Sequence, residues 1–380
     1  MRHLALVPLL AFFATPASAE KRVTVDKLEQ VLAASRHMPD TKLAQEIYEL
    51  ELTERLSEDR LARLEEGLPG PLARQALIAV ADASEFLDLP VHDLSARAAP
   101  DPSAQSSMLA LTADFAHKSI SRLPNFYATR ETSRFEDTPM AALYTQASDT
   151  YQPLHQISRS SATVLYRNGN EVVRAEIAKG AKSKSVVREL STHGVFGPVL
   201  STVLADAADG TIAWSHWEEG PSGLRAVFNY RVPQRASHYS VVFPSEELEL
   251  DYPANADLDS LAKNGTRKDA RRLPAYHGEI AVNPADGSIL RMTIIADMKS
   301  SDPVIRADLM VEYGRVVLGG RTYICPLKSV SLSLEHVMYE TAILPALGPP
   351  QLRVNDEVFK QYHLFRGDVY ILTGAEQGPG

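Results

Sequence analysis

Few residues of this chain have the types and spacing that enzymatic chemistry requires. A serine nucleophile typically occupies a Gly-x-Ser-x-Gly turn, which is absent; Ser222 is interpreted as part of a turn between two strands. The single cysteine, Cys325, lies in an apolar strand pattern without a neighbouring histidine, which favours a small buried side chain over a nucleophile. The protein is therefore expected not to be an enzyme, although distant residues could still form a site that has no recognisable motif.

Motifs for metals and cofactors are also missing. No His-Glu-x-x-His or paired-cysteine motif occurs, and His336 and Glu340 would lie roughly 13 Å apart along a strand. The other histidines are scattered, which favours surface or hydrogen-bonded groups over metal ligands. Gly194-x-x-Gly197 lacks the lysine and the hydroxyl residue of a phosphate-binding loop. We expect neither a metal nor a cofactor.

Two tryptophans, Trp214 and Trp217, provide one possible binding feature, because indole rings can stack on sugars or line an acyl channel. Residues three apart in a regular strand point to opposite faces, so these rings form one platform only if a bulge intervenes. We expect Trp214 in the core and Trp217 near a rim.

The first residues have the three-part pattern of a secretory signal peptide: Met1-Arg2-His3, an apolar run from Leu4 to Phe13, and Ala17-Ser18-Ala19. Residues 1–19 are therefore predicted to be removed on export. We expect the mature protein to be periplasmic or extracellular and to contain no transmembrane segment, because the apolar run is too short to span a bilayer.

Charge and composition restrict the partners. The 380 residues carry a formal net charge of −9, which argues against nucleic acid because a phosphate backbone requires a dense cationic face. The clustered cations Arg267, Lys268, Arg271 and Arg272 are interpreted as a solvated loop. With one cysteine, the chain has no intrachain disulfide, so its stability must come from burial and backbone pairing.

Between Thr24 and about Leu87, apolar residues recur at helical spacing, which predicts about four short helices with Thr24, Asp40 and Ser57 as N-caps. Prolines then mark a linker or a strap across the surface. A further helix is predicted from about Met108 to Arg122. The predicted units are a signal peptide (1–19), a helical domain (20–88), a linker (89–107), a β domain (108–374) and a disordered tail (375–380).

The remainder of the chain shows the period-two alternation of strands, as in the segment from Arg225 to Val232. Asn168-Gly169, Asp286-Gly287 and Gly319-Gly320 each separate two such segments and predict hairpins. Sequential hairpins indicate an antiparallel meander that curves into a half-barrel. The predicted fold class is thus α+β, with a small N-terminal helical bundle followed by a curved antiparallel sheet.

One helix interrupts the predicted strands. Gly197-Pro198 opens it, and its apolar stripe includes Phe196, Val199, Val203 and Leu204. Such a helix would pack in the concave face of the sheet. Two roles remain open for it: a fixed plug of the core, or a movable lid over a ligand cavity.

The C-terminal half contains Tyr276-His277-Gly278-Glu279-Ile280-Ala281-Val282, then Asp286-Gly287 and Leu290-Arg291-Met292-Thr293-Ile294, and later Val311-Glu312-Tyr313, Gly319-Gly320 and Pro326. Over roughly residues 110–370 this pattern resembles the periplasmic lipoprotein-carrier (LolA-like) superfamily. The resemblance implies a strongly bent sheet that holds acyl chains in an apolar cavity. Those carriers lack a helical domain, so a sensor or a scaffold fits equally well.

The whole chain, including Leu50-Glu51-Leu52-Thr53-Glu54-Arg55-Leu56-Ser57 and Leu68-Pro69-Gly70, is also similar to a group of uncharacterised exported bacterial proteins, and this resemblance implies no activity.

We expect an exported, soluble, non-enzymatic protein that binds an apolar ligand, a lipid or a lipidated peptide, in the half-barrel cavity. The alternative is an envelope scaffold for protein–protein interaction whose cavity is filled by its own helix. Small residues facing the helix would leave room for a ligand, whereas bulky residues would close the space. The candidate lining residues are Phe196, Val199, Val203, Leu204, Phe228 and Tyr230.

Overall fold

The computed structural model describes residues 21–120, 122–139, 151–174, 190, 194–221, 223–248, 267–339 and 346–365. This part of the chain is α+β, with a large antiparallel sheet and six α-helices. The predicted signal peptide and C-terminal tail lie outside the described residues. No helix in the described ranges has both the length and the apolar composition to cross a membrane.

Four helices form the N-terminal region, in the number that the sequence predicts, around a core that includes Leu28, Ile47 and Leu77. Thr24 accepts a hydrogen bond from Lys27 N at 3.2 Å and caps the first helix as predicted. The region also contains two short parallel strands that the sequence did not indicate. Its elements are β1 (Lys21–Val23), α1 (Val25–Ala34), α2 (Asp40–Tyr48), β2 (Leu50–Leu52), α3 (Glu58–Glu66) and α4 (Pro71–Ser84).

The other two predicted N-caps behave differently. Asp40 is the first residue of α2, and its carboxylate instead caps α4, accepting hydrogen bonds from Leu72 N at 3.0 Å and Ala73 N at 2.8 Å. Ser57 stands at the N-cap of α3 without a side-chain hydrogen bond. Asp40 thus links two helices, because a carboxylate satisfies the free amides at a helix start.

The helix α5 (Pro102–Ile120) follows a short 3₁₀ turn at Val91–Asp93. It begins six residues earlier than predicted, inside the segment interpreted as a linker. It packs on the turn at Gly287, which has φ of 72° and where a Cβ would lie 2.5 Å from Leu111 C. Only glycine combines this backbone conformation with so close an approach.

A ten-stranded antiparallel sheet forms the largest unit, in the spatial order β5-β4-β3-β14-β13-β12-β11-β10-β7-β6. The sheet is open, with β5 and β6 at its edges. A separate two-stranded ladder is made by β8 and β9. The strands are β3 (Phe126–Thr138), β4 (Gln152–Arg167), β5 (Asn170–Arg174), β6 (Thr211–Gly220), β7 (Gly223–Val232), β8 (Val241–Leu248), β9 (Arg267–Arg272), β10 (Tyr276–Val282), β11 (Ile289–Ala296), β12 (Val304–Leu318), β13 (Arg321–Tyr339) and β14 (Ala346–Leu364).

The three predicted hairpins are confirmed: β4 pairs with β5, β10 with β11, and β12 with β13. Asn168 has φ of 52° and Gly169 φ of 80°, while Gly319 and Gly320 have φ of 59° and 80°, so both two-residue turns adopt the left-handed conformations that suit tight hairpins. The cationic cluster is not a loop as predicted, because it lies in β9, where Arg272 Nε is 3.3 Å from Asp302 Oδ1.

Alternating residues give the sheet two buried faces. One face is covered by α6 (Pro198–Ala208), whose position agrees with the predicted helix, and includes Phe228, Met292 and Val311. We call this the α6 face. The other face contains Met310 and packs against α4, so we call it the α4 face. Because each face is covered by helices, strands such as β11 are apolar nearly throughout.

Buried ion pairs hold the helical region on the α4 face. Although burial alone would raise it, the pKa of Glu218 is held below its ordinary value by the adjacent Arg55 guanidinium and by a hydrogen bond with His216. The carboxylate therefore stays charged inside the interface. Among the pairs that join the two regions are Arg55 Nη2 to Glu218 Oε2 at 2.6 Å, Arg225 Nη1 to Glu58 Oε1 at 2.7 Å, and Lys328 Nζ to Asp82 Oδ1 at 2.6 Å.

We predict that Arg55→Met lowers the free energy of unfolding by about 3 kcal/mol, because it leaves the Glu218 carboxylate buried without its main partner. The matched control is Arg22→Met, which breaks an exposed pair with Glu51 and should cost less than about 1 kcal/mol. Urea unfolding of both variants measures the difference. Equal losses would contradict a role of the buried pair in docking.

Candidate functional site

The start of α6 is packed among aromatic rings. Phe196, two residues before the helix, has its ring centroid 5.3 Å from that of Phe126, 5.0 Å from that of Phe359 and 6.3 Å from that of Tyr362. Edge-to-face geometry makes such contacts favourable beyond their buried area. This end of the helix is therefore a filled part of the core.

The other end of α6 is tethered by Asp206, a carboxylate that is only 2% exposed. It accepts hydrogen bonds from Tyr276 Oη at 2.8 Å and His238 N at 2.8 Å, and its Oδ1 lies 2.6 Å from His238 Nδ1. The hydrogen bond to Asp206 raises the pKa of His238, and burial raises that of Tyr276. A buried carboxylate with three hydrogen bonds, one to Tyr276 and two to His238, fixes the position of this end of the helix.

Beside α6, the helices α5 and α6 and the strands β6, β7 and β10 line an open cavity of about 560 Å³. Its walls are mainly apolar, and most side chains contributed by the two helices are small. Thr112, His117 and Ser201 are the polar members. The lining consists of Leu109, Thr112, Ala113, Ala116, His117, Ser201, Leu204, Ala205, Ala207, Ala208, Ile212, Phe228, Ile280 and Val282.

The six predicted lining residues divide into two groups. Leu204 and Phe228 line the cavity, from α6 and β7. The other four lie elsewhere in the same core. Phe196 borders a second, much smaller pocket, Val199 packs partly buried against the core, Val203 is fully buried, and Tyr230 is 2% exposed with its hydroxyl donating to Thr293 O at 2.7 Å.

The sequence interpretation did not include the contribution of α5. Leu109, Thr112, Ala113 and Ala116 recur at the spacing of one helix face and all line the cavity. That spacing is readable in the sequence, but it does not reveal what the face packs against. Ile280 and Val282 were missed for the same reason, because β10 reaches α5 only through the tertiary fold.

The expectation for the two tryptophans was wrong. A β-bulge at Ser215 puts both rings on the α6 face, with centroids 4.8 Å apart. Trp217 is the buried one, at 5% exposure, and its Nε1 donates to Ala98 O at 2.9 Å. Trp214 is partly buried against Phe228. The tryptophan pair does not line the cavity itself, but Trp214 packs against Phe228, which does.

The remaining reactive groups have structural partners. Cys325 is fully buried as predicted, and burial raises the pKa of its thiol to about 12, so the thiolate is scarce at neutral pH. His336 Nδ1 lies 2.8 Å from Gly348 O, while Glu340 lies outside the described residues. Within the described ranges, no group of three or more histidine, cysteine or acidic residues could hold a metal ion.

No protein-family model, curated protein or solved structure matches the chain in the comparisons with known proteins. The resemblance to lipoprotein carriers therefore remains a prediction from the sequence, and the geometry of the cavity carries the functional argument.

A carboxylate from the sheet edge holds the turn before α6. Glu171 Oε2, on β5, accepts a hydrogen bond from Gly194 N at 2.9 Å. Burial raises the pKa of Glu171 to about 7, while the Gly194 hydrogen bond and Arg130 oppose the shift. Folding therefore favours the protonated form, and deprotonation costs stability as the pH rises from about 4.5 through 7.

We predict that Glu171→Gln stabilises the protein at pH 8 by about 2 kcal/mol relative to the native chain, because glutamine keeps an acceptor for Gly194 N without a buried charge. At pH 5 the two proteins should unfold with similar free energies, which serves as the internal control. Urea unfolding across this pH range measures the effect. A stability difference that does not change with pH would contradict the titration of Glu171.

Proposed function

We propose that this protein binds an apolar ligand, a lipid or a lipidated peptide, in the cavity between α5, α6 and the sheet. In this proposal the sheet acts as a half-barrel with α6 on its concave side. The observation that carries the proposal is the cavity itself. Its volume of about 560 Å³ falls within the range of about 300–1,000 Å³ that is usual for small-molecule sites.

Small side chains favour this function over a self-filled scaffold. Ala113, Ala116, Ala205 and Ala207 face the space where larger residues would have closed it. A filled core would bring bulky side chains into the space, as Phe196 does just before the other end of the helix. The contrast between the two ends of α6 supports a cavity that is kept open for a ligand.

The apolar walls are suited to an acyl chain. Each buried methylene contributes about 0.8 kcal/mol, so a chain of moderate length binds without charged contacts. Ala113, Ala205 and Ala208 are exposed on the helices and mark the mouth of the cavity. Because the space exists with α6 in place, the helix acts as a fixed wall and its tether at Asp206 is not broken on binding.

The predicted signal peptide agrees with a role in the cell envelope, where soluble proteins shield acyl chains from water. We therefore propose an exported carrier or sensor of apolar ligands. Native mass spectrometry of the mature protein, purified from its own envelope and followed by organic extraction, tests the proposal. An acyl species of defined stoichiometry supports it, whereas a bare protein mass unchanged by added lipids contradicts it and favours the scaffold.

We predict that Ala116→Leu weakens binding of a long-chain fatty acid about tenfold, because the added carbons displace about two methylenes of the ligand. The matched control is Ala110→Leu, an exposed position of the same helix that does not line the cavity. Isothermal titration with palmitate measures both variants. Equal affinities for the two would place the ligand outside this cavity.

A further inference from the structure

The mouth of the cavity is a slot between α5 and α6. On α5, the exposed lining residues Ala113 and His117 are four apart in sequence. On α6, the exposed lining residues are Ser201, Ala205 and Ala208, at spacings of four and three. These spacings place each set on one face of its helix. Each helix therefore contributes one side of the slot, and the buried lining residues form its floor.

The two helices run antiparallel along the slot. A second, smaller pocket is lined by Ser119, near the end of α5, and by Leu200, near the start of α6. Ala116 lines both the cavity and this pocket. The end of α5 therefore lies beside the start of α6. His117 is in the last turn of α5 and Ser201 in the first turn of α6, so both stand at the same end of the slot.

The polar groups of the cavity are concentrated at this end. Thr112, the third polar lining residue, is 3% exposed, and its hydroxyl donates to Met108 O at 2.9 Å, within its own helix. His117 and Ser201 are exposed and bring an imidazole and a hydroxyl to the slot. In ligand sites with apolar walls, a few polar groups of this kind fix the orientation of the ligand. We call this pair, His117 and Ser201, the polar end.

The charges around the slot favour an anionic group at the polar end. Among the described residues that line the cavity, His117 is the one that can carry a charge, and a protonated imidazole is positive. The nearby carboxylate of Asp114 is matched by Lys118, whose Nζ lies 2.6 Å from Asp114 Oδ2. The opposite end of α6 carries Asp206 and Asp209. A negative headgroup is therefore attracted to the polar end and repelled from the other.

The volume of the cavity suits one acyl chain. A water molecule occupies about 30 Å³ in the liquid, and a methylene group is of similar size. A cavity of about 560 Å³ therefore holds roughly eighteen such groups. That is the size of a single long chain with its headgroup, and two long chains would exceed it.

Resting on the function proposed above, we propose that the ligand is a long-chain fatty acid and that His117 and Ser201 bind its carboxylate at the polar end. An imidazole N–H and a hydroxyl both donate hydrogen bonds, and the two oxygens of a carboxylate accept them. Hydrogen bonds to an ionised acceptor are stronger than those to a neutral one. The headgroup thus determines selectivity, while the chain supplies the apolar part of the affinity.

The test is isothermal titration of the full mature chain at pH 7 with laurate and with 1-dodecanol, which have the same number of carbons and differ in the headgroup. The variants are His117→Gln and Ser201→Ala. The matched control is His37→Gln, which replaces an exposed histidine of the helical region that does not line the cavity. The melting temperature of each variant checks that it is folded.

We expect the native chain and the control to bind laurate about tenfold more tightly than dodecanol, because the carboxylate makes the stronger hydrogen bonds. His117→Gln should weaken laurate binding about fivefold and leave dodecanol binding unchanged, since glutamine keeps a donor but cannot carry the charge. Ser201→Ala should weaken laurate binding about threefold through the loss of one hydrogen bond.

Equal affinities of the native chain for laurate and dodecanol would overturn the carboxylate site and leave the apolar cavity standing. Equal losses for both probes in His117→Gln would also overturn it, because the residue would then act on the shape of the cavity alone. Binding of neither probe would contradict the function proposed above and the fatty acid with it. The comparison of the two probes in the native chain requires no variant, so it decides the inference even if a variant unfolds.

Discussion

The pairing of β3 with β14 is the contact on which the rest of the structure depends. It joins the first strand of the large sheet to the last and thereby attaches β3, β4 and β5 to the meander of later strands. The same ladder brings Phe126 and Phe359 around Phe196, so it also creates the aromatic socket for the start of α6. Without the β3–β14 pairing, α6 would lose the aromatic contacts that hold its start and part of the sheet on which it packs.

The helix α6 both fills part of the core and forms a wall of the cavity, because its two ends are held by different contacts. The aromatic packing at Phe196 and the hydrogen bonds at Asp206 fix α6 at both ends. The small residues between them then face α5 without collapsing onto it, since the positions of the helices are set elsewhere. A rigid frame is what allows an apolar space to persist in a protein interior that otherwise packs densely.

Local signals in the sequence predicted much of this fold. Asn168-Gly169 and Gly319-Gly320 specify their hairpins because a left-handed two-residue turn sets the register of its own strands. Gly197-Pro198 likewise marks the start of α6. Leu204 and Phe228 could be proposed as lining residues from the sequence, because the helical periodicity of α6 and the alternation of β7 each place them on a buried face.

The features that the sequence did not reveal depend on tertiary contacts. The β3 to β14 pairing, the docking of α4 through buried ion pairs and the place of α5 beside α6 each join segments far apart in the chain, and no periodicity encodes a partner. The bulge at Ser215 changes which faces the two tryptophans occupy. It involves one residue and has no neighbouring glycine that could have indicated it in the sequence. The prolines before Met108 were interpreted as part of a linker, although proline is common at the first position of a helix. The start of α5 at Pro102 was therefore missed.

The segment before α5 does more than connect two regions. Ser95 N donates to Trp217 O at 3.3 Å, Ala98 O accepts from the indole, and the Arg97 guanidinium lies 4.9 Å from the same ring. These contacts fall on β6, an outer strand whose free backbone groups would otherwise invite a strand from another molecule. The segment before α5 thus covers part of an edge strand, which disfavours pairing of this edge with a strand of another molecule.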